Sequence, residues 1–158
     1  MTAYKIIFDD KNDNKNAEKR AYKIRALLKR REDLAKVLLS TYHLKIPTLS
    51  ELYEFFVKHF KPCDRAYLYK LLKTLEIHGL IERINIKDAI YLSEMDNNPK
   101  NSLYKEIVRK YREWIIKIPP QFQERFRDVY YYYVTKFGEE FLEWCGEVTG
   151  IKVVKEDA

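Results

Sequence analysis

Asp64–Ser93, DRAYLYKLLKTLEIHGLIERINIKDAIYLS, is the stretch whose reading decides the fold. Leu68, Leu71, Leu72 and Leu75 recur at helical spacing and mark one apolar face. At about 100° per residue, Ala66, Lys70 and Lys73 point the other way, flanked by Tyr67, Tyr69 and Thr74. Gly79 supplies the left-handed residue that ends a helix. Beyond it, Leu80–Ile86 and Ala89–Ser93 alternate as strands do, with Lys87-Asp88 as a hairpin turn. The stretch predicts a helix, a glycine stop and a short hairpin. Its helix has a leucine back and a basic, aromatic, hydroxyl-bearing front, a combination suited to a DNA groove.

Working back from this stretch, Asp64 is placed to cap the helix and Lys61-Pro62-Cys63 forms a turn. Thr48 and Glu51 have the spacing of a capping box. They open a helix over Leu49–Phe60, with Leu52, Phe55, Phe56 and Phe60 on one side. Two helices joined by so short a turn fit a helix-turn-helix. Residues 17–44 predict one long helix, or two with a break near Arg31. Ala21, Ile24, Leu27, Leu28, Leu34, Val37, Leu38 and Leu44 form its apolar stripe. Its first half is crowded with Lys19, Arg20, Lys23, Arg25, Lys29, Arg30 and Arg31, which can lie along phosphates. Tyr4–Phe8 is strand-like and precedes a polar linker. Ile151–Val154 is one candidate partner, and a flexible arm reads equally well.

Working forward, Met95–Lys100 is the clearest linker. Residues 101–118 predict an amphipathic helix that Pro119-Pro120 stops. Residues 121–145 predict a longer aromatic helix, with Gly138 weakening its continuity. Four tyrosines in a row, Tyr130–Tyr133, would point all round such a helix, so some must meet something other than the chain's own core. A second subunit is the expected partner, through Tyr130, Tyr131, Tyr133, Phe137, Phe141 and Trp144. The expected organisation is an arm or short strand at 1–16, a DNA-binding domain at 17–95, a helical dimerisation region at 101–150 and a tail at 151–158.

The chain has 158 residues, 30 Lys and Arg against 24 Asp and Glu, and a net charge of +6. Residues 17–45 hold nine Lys/Arg against three acids, whereas residues 119–158 hold five against eight. A basic front half and an acidic tail suggest a polyanion for the former. With few Gly and Pro, the expected class is mainly α with a small β-hairpin. No apolar run is long enough for a membrane span and none resembles a signal peptide, so a cytoplasmic protein is expected. Abundant Lys, Glu, Ile and Tyr with little Gln lean towards a thermophilic source. His59, Cys63 and His78 lack zinc spacing and a fourth ligand, so no metal is expected. Asp9-Asp10 after a strand would suit an Mg²⁺-dependent nuclease edge, but Glu139, Glu140 and Glu143 lie on a pattern typical of a solvated face. There is no P-loop, nucleophile elbow or H-E-x-x-H, so neither an enzyme nor a cofactor is expected.

Within the deciding stretch, LYKLLKTLEIHGLIERI resembles the recognition helix and first wing strand of winged-helix transcription regulators, particularly the PadR- and MarR-like groups. Leu68, Tyr69, Leu72, Leu75, Gly79, Leu80 and Ile81 carry the resemblance, which covers roughly Glu32–Ser93. It implies that the Asp64–His78 helix enters a major groove, that the Arg83–Asp88 hairpin touches neighbouring backbone, and that a homodimer reads a near-palindromic site. Arg65, Tyr67, Tyr69, Lys70, Lys73 and Thr74 are the expected base and phosphate contacts, with Arg30, Arg31, Arg83 and Lys87 adding affinity. Double-stranded DNA and a second copy of the chain are thus the expected partners, in transcriptional regulation, most simply repression. A replication or partition protein and a winged-helix protein-interaction scaffold are the alternatives.

Overall fold

Arg31 divides the basic N-terminal stretch into two helices. Its backbone, at φ −123° and ψ 78°, leaves helical geometry, and the next helix starts without a side-chain cap. The computed structural model describes the backbone of residues 2–8, 19–144 and 151–157 and the side chains of residues 22–143. In chain order the elements are β1 (Thr2–Phe8), α1 (Lys19–Arg30), α2 (Glu32–Leu44), α3 (Leu49–His59), α4 (Arg65–Ile77), β2 (Ile81–Asn85), α5 (Ile86–Ser93), α6 (Asn101–Ile115), a 3₁₀ segment (Pro120–Phe126), β3 (Tyr130–Val134), α7 (Lys136–Trp144) and β4 (Ile151–Asp157). The protein is mainly helical with two small sheets, and no described helix is long and apolar enough to cross a membrane.

Local chemistry sets the ends of these helices. The Glu51 N–H donates to Thr48 Oγ1 at 3.3 Å and the Thr48 N–H donates to Glu51 Oε1 at 3.1 Å, completing the capping box of α3. The Tyr67 N–H donates to Asp64 Oδ1 at 2.7 Å and starts α4. Gly79, at φ 74°, ends α4. The Leu80 N–H reaches back to Leu75 O and the Gly79 N–H to Glu76 O, both at 3.0 Å, a Schellman arrangement sealed by buried Leu75 and Leu80. α2 leaves helix more abruptly. Lys45 sits at φ 69°, ψ −69°, and the Ile46 N–H donates to Leu44 O at 2.9 Å, a tight three-residue turn on a non-glycine residue.

The chain forms two compact units, Met1–Glu82 with Tyr133–Ala158, and Arg83–Tyr132. In the first, α2 packs on α3 and α4. Leu34, Leu38, Leu52, Phe56, Leu68, Leu72 and Leu75 are fully buried there. At roughly 25 cal/mol per Å² of apolar area, such side chains each contribute about 2 kcal/mol. β1 pairs antiparallel with β4, from Thr2↔Asp157 to Phe8↔Ile151, so the strand-like N-terminal run finds its partner at the far end of the chain. In the second unit α5 packs on α6, with Ile86, Ala89, Tyr104, Ile107 and Val108 buried. Gln123 Nε2 donates to Ile115 O at 3.1 Å and Ile118 O at 3.0 Å, satisfying carbonyls at the end of α6. The expected linker at 95–100 lies inside this unit, where Asn101 Nδ2 donates to Ser93 O at 2.6 Å and ties α5 to α6.

Two expectations are corrected. Ala89–Ser93 is not the second strand of a hairpin. It belongs to α5, because the Asn85 side chain accepts the Lys87 N–H at 2.9 Å and caps a helix there, while Ile86, Ala89 and Ile90 also fit helical spacing. The partner of β2 is β3. The Thr135 N–H donates to Leu80 O at 3.0 Å and the Ile86 N–H to Val129 O at 2.9 Å, so the strands run antiparallel with residues 86–129 between them. Residues 121–145 are not one helix. They form the 3₁₀ segment, β3 and α7, since consecutive tyrosines and a valine favour strand and Thr135 restarts the helix by accepting the Gly138 N–H at 2.9 Å.

Candidate nucleic-acid interface

The first unit carries the helix expected to meet DNA. Leu68, Leu71, Leu72 and Leu75 are buried, which turns Ala66, Lys70, Lys73 and Ile77 outward along one stripe of α4. Ile77, 80% exposed, was missed by the sequence reading, although its phase with Ala66, Lys70 and Lys73 marks it. Tyr69 is half-buried at the edge of the stripe, and Lys73 Nζ lies 5.9 Å from its ring centroid. The Thr74 hydroxyl donates to Lys70 O at 3.1 Å, within the helix. Arg65 is steered towards α3, donating to Ser50 Oγ at 3.2 Å with its guanidinium 5.2 Å from the Tyr53 ring. Ser50 and Tyr53 thus position Arg65, a role with no sequence signal beyond their one-turn spacing.

Tyr67 does something other than face a groove. Its hydroxyl donates to Asp33 Oδ2, and Lys61 Nζ reaches the same oxygen at 2.5 Å. Burial pushes the Asp33 carboxyl up, but the hydrogen bonds from Lys61 and Tyr67 outweigh it and hold the group below its ordinary value. The hydrogen bond to Asp33 raises the Tyr67 phenol in turn. This cluster joins the start of α4 to the start of α2, next to Arg30 and Arg31. An open depression of about 330 Å³ is lined by Lys29, Arg30, Arg31, Glu32, Asp33 and Tyr67. A second, of about 690 Å³, is lined by Lys23, Arg25, Lys29, Arg30 and His78, with Ala26 and Leu27 between them. Cations of α1 therefore stand beside residues from both ends of α4. Of the sequence-predicted residues, the structure brings Arg30, Arg31, Lys70 and Lys73 onto one unit as exposed cations and commits Tyr67 to holding that unit together.

Arg83 and Lys87 belong to the second unit. The Arg83 guanidinium lies 4.7 Å from the Tyr130 ring, and Lys87 forms an exposed ion pair with Asp128 at 3.1 Å. The hydrogen bond from Lys87 lowers the Asp128 carboxyl. The residues expected to form a dimer interface do not make one helical face. Tyr131, Tyr133 and Phe141 are buried within the chain, the Tyr133 hydroxyl donating to Glu82 Oε2 at 2.7 Å. Phe137 is half-buried and Tyr130 is 41% exposed. Alternation along a strand, together with packing on both faces, leaves far less aromatic surface than a helix would. The Trp144 side chain, Asp9-Asp10 and the side chains of Lys19 and Arg20 lie outside the described residues.

Among the described residues no three His, Cys, Asp or Glu side chains gather as metal ligands would. His59 stacks on Phe55 at 4.3 Å, and burial raises the Cys63 thiol. No family model, curated protein or solved structure matches the chain.

Proposed function

We propose that this chain binds double-stranded DNA, with the outward stripe of α4 in the major groove and the basic α1–α2 elbow on the flanking phosphates, as a regulator of winged-helix type. One observation carries the reading. A helix packed by four leucines presents Ala66, Lys70, Lys73 and Ile77 to solvent, and the Tyr67–Asp33–Lys61 cluster fixes its first turn next to Arg30 and Arg31. Lysines offer hydrogen bonds to guanine edges or phosphate, and Ala and Ile offer apolar contact to thymine methyls. The order α2, α3, turn, α4, β2 supports the winged-helix resemblance, with β3 as the returning wing strand and residues 86–129 inserted at its tip. The homodimer, expected from the aromatic run and from the resemblance, stays part of the proposal, although Tyr131, Tyr133 and Phe141 are buried within the chain.

Duplex binding measured by fluorescence anisotropy across a salt series tests it. The affinity should fall steeply, with a slope of about −0.9 in log–log form per phosphate neutralised. Lys70→Ala and Lys73→Ala should each weaken binding several-fold, and a phosphate-contacting lysine should flatten the slope by about one. Footprints at promoters would mark the regulatory role. Absence of duplex binding at low salt, or binding indifferent to salt, overturns the reading.

A further inference from the structure

The outward stripe of α4 carries more than charge. Its four exposed positions, Ala66, Lys70, Lys73 and Ile77, run apolar, basic, basic, apolar. Ile77, at 80%, is the most exposed large apolar side chain among the described residues. A lone exposed isoleucine is ordinary on a protein surface. This one stands in phase with the face that would enter a groove.

The contacts around that face sort the residues that could read bases. Arg65 is drawn to Ser50 and Tyr53 on α3. The Tyr67 hydroxyl is committed to Asp33. The one hydroxyl proton of Thr74 goes to Lys70 O at 3.1 Å. Lys73 Nζ lies 5.9 Å from the Tyr69 centroid, which draws this ammonium to the edge of the stripe, the side on which a groove is flanked by phosphates. The Lys70 ammonium has no partner among the described residues. Ala66, Lys70 and Ile77 are left along the middle of the face.

Each has one kind of base edge to match. Methyl groups of Ala66 and Ile77 suit the C5 methyl of thymine, and the Lys70 ammonium suits guanine O6 and N7. Ala66 and Ile77 are eleven residues apart, about 16 Å at about 1.5 Å per residue. With about 3.4 Å between base pairs, that length covers about three to five pairs, according to the tilt of the helix in the groove. Lys70 lies between them, four residues from Ala66 and seven from Ile77. We infer that α4 selects half-sites in which two thymines, on either strand and about three to five base pairs apart, flank a guanine nearer the Ala66 end. The inference rests on the duplex reading above and adds the bases to it.

The test is selection of bound duplexes from a randomised pool by the full chain, then anisotropy on the selected duplex and its variants. The selected sequences should share the thymine–guanine–thymine order. Deoxyuridine in place of either thymine removes one methyl and should weaken binding about fourfold. Ile77→Ala should weaken binding about fourfold or more and abolish the effect of deoxyuridine at one end only. Ile77→Val keeps a branched side chain and should keep the thymine preference. Lys70→Ala should cut the preference for guanine about fivefold or more, whereas Lys73→Ala should weaken all duplexes alike. Ile77 is exposed, so the fold should be unchanged in its variants, as circular dichroism would show. Absence of duplex binding overturns the duplex reading and this inference with it. Three results overturn the inference alone: salt-dependent duplex binding without base preference, a preference that Ile77→Ala leaves unchanged, or full tolerance of deoxyuridine at both ends. A dimer in light scattering that Ile77→Ala dissociates, with duplex binding unaltered, does so as well.

Discussion

Gly138→Ala sets two physical arguments against each other, and its sign decides between them. By helix propensity alone, replacing a glycine in α7 with alanine should stabilise the protein by about 1 kcal/mol. The surroundings say otherwise. A Cβ at Gly138 would lie 2.3 Å from Leu80 O, 2.7 Å from Val134 Cγ1 and 3.2 Å from the Leu80 carbonyl carbon. The Leu80 carbonyl is held on several sides. It accepts the Thr135 N–H at 3.0 Å and the Thr135 hydroxyl at 3.2 Å, its residue is fully buried, and the preceding Gly79 is fixed by the Schellman arrangement. Thr135 Oγ1 also lies 2.6 Å from Gly79 O as a donor and accepts the Gly138 N–H. Making room means parting α7 from this corner. Overpacking costs about 1–3 kcal/mol and each weakened hydrogen bond about 1 kcal/mol. After the propensity gain, a net loss of about 2–4 kcal/mol remains, or roughly 5–15 °C in Tm for a chain of this size. Urea unfolding followed by circular dichroism measures it, with exposed Lys136→Ala as a control expected within about 0.5 kcal/mol of the parent. A Gly138→Ala variant as stable as the parent, or more so, would refute the reasoning, because the close approach of α7 to Leu80 would then not exist.

Tyr67→Phe should cost about 1–2 kcal/mol at neutral pH, as expected for a hydrogen bond to a partly buried carboxylate. The Asp33 carboxyl is depressed in the fold, so its contribution is complete above the unfolded value near pH 4 and fades as pH falls through the lower folded value. The gap between parent and variant should therefore close below about pH 4; a gap constant from pH 7 to pH 2 would show that the carboxylate is not involved. Lys45→Gly should stabilise by roughly 1 kcal/mol, since the φ of 69° at this position strains any side-chain-bearing residue. Thermal melts of Lys45→Gly and Lys45→Ala would check it, and equal melting points would show that the turn is unstrained.

Much of the first unit was legible because short-range chemistry decides it. The break at Arg31, the Thr48–Glu51 box, the Asp64 cap and the Gly79 stop are all written within a turn of where they act. For the N-terminal strand, Ile151–Val154 was one candidate partner beside a flexible arm, and composition alone could give neither the choice nor the register. Two signals were read with the wrong period. Phe122, Phe126 and Tyr130 recur every four residues, which mimics a helix, yet four tyrosines and a valine in succession are β-formers, and Thr135, a residue type suited to an N-cap, marks a fresh helix start. Ile86–Ser93 is too short for alternation and helical spacing to be told apart, and the Asn85 cap was the discriminating residue. The Tyr67–Asp33 contact joins residues 34 positions apart, and nothing local announces it. That contact is why Tyr67, in phase to be an edge residue of the groove face, acts as a brace.

The hydrogen bond between Ile86 and Val129 also bears on how such a chain could be assembled from parts. The two ends of the inserted segment are adjacent, where a two-residue turn would otherwise join the strands. A floppy insert of this length would cost about 3 kcal/mol in closure entropy, at about 0.6 kcal/mol per doubling. A segment that folds on its own core and pins its own ends avoids most of that loss. Residues 86–129 therefore have the form of a cassette, one that can be spliced into a hairpin tip, or cut out and replaced by Asn-Gly, without altering the register of the strands that hold it.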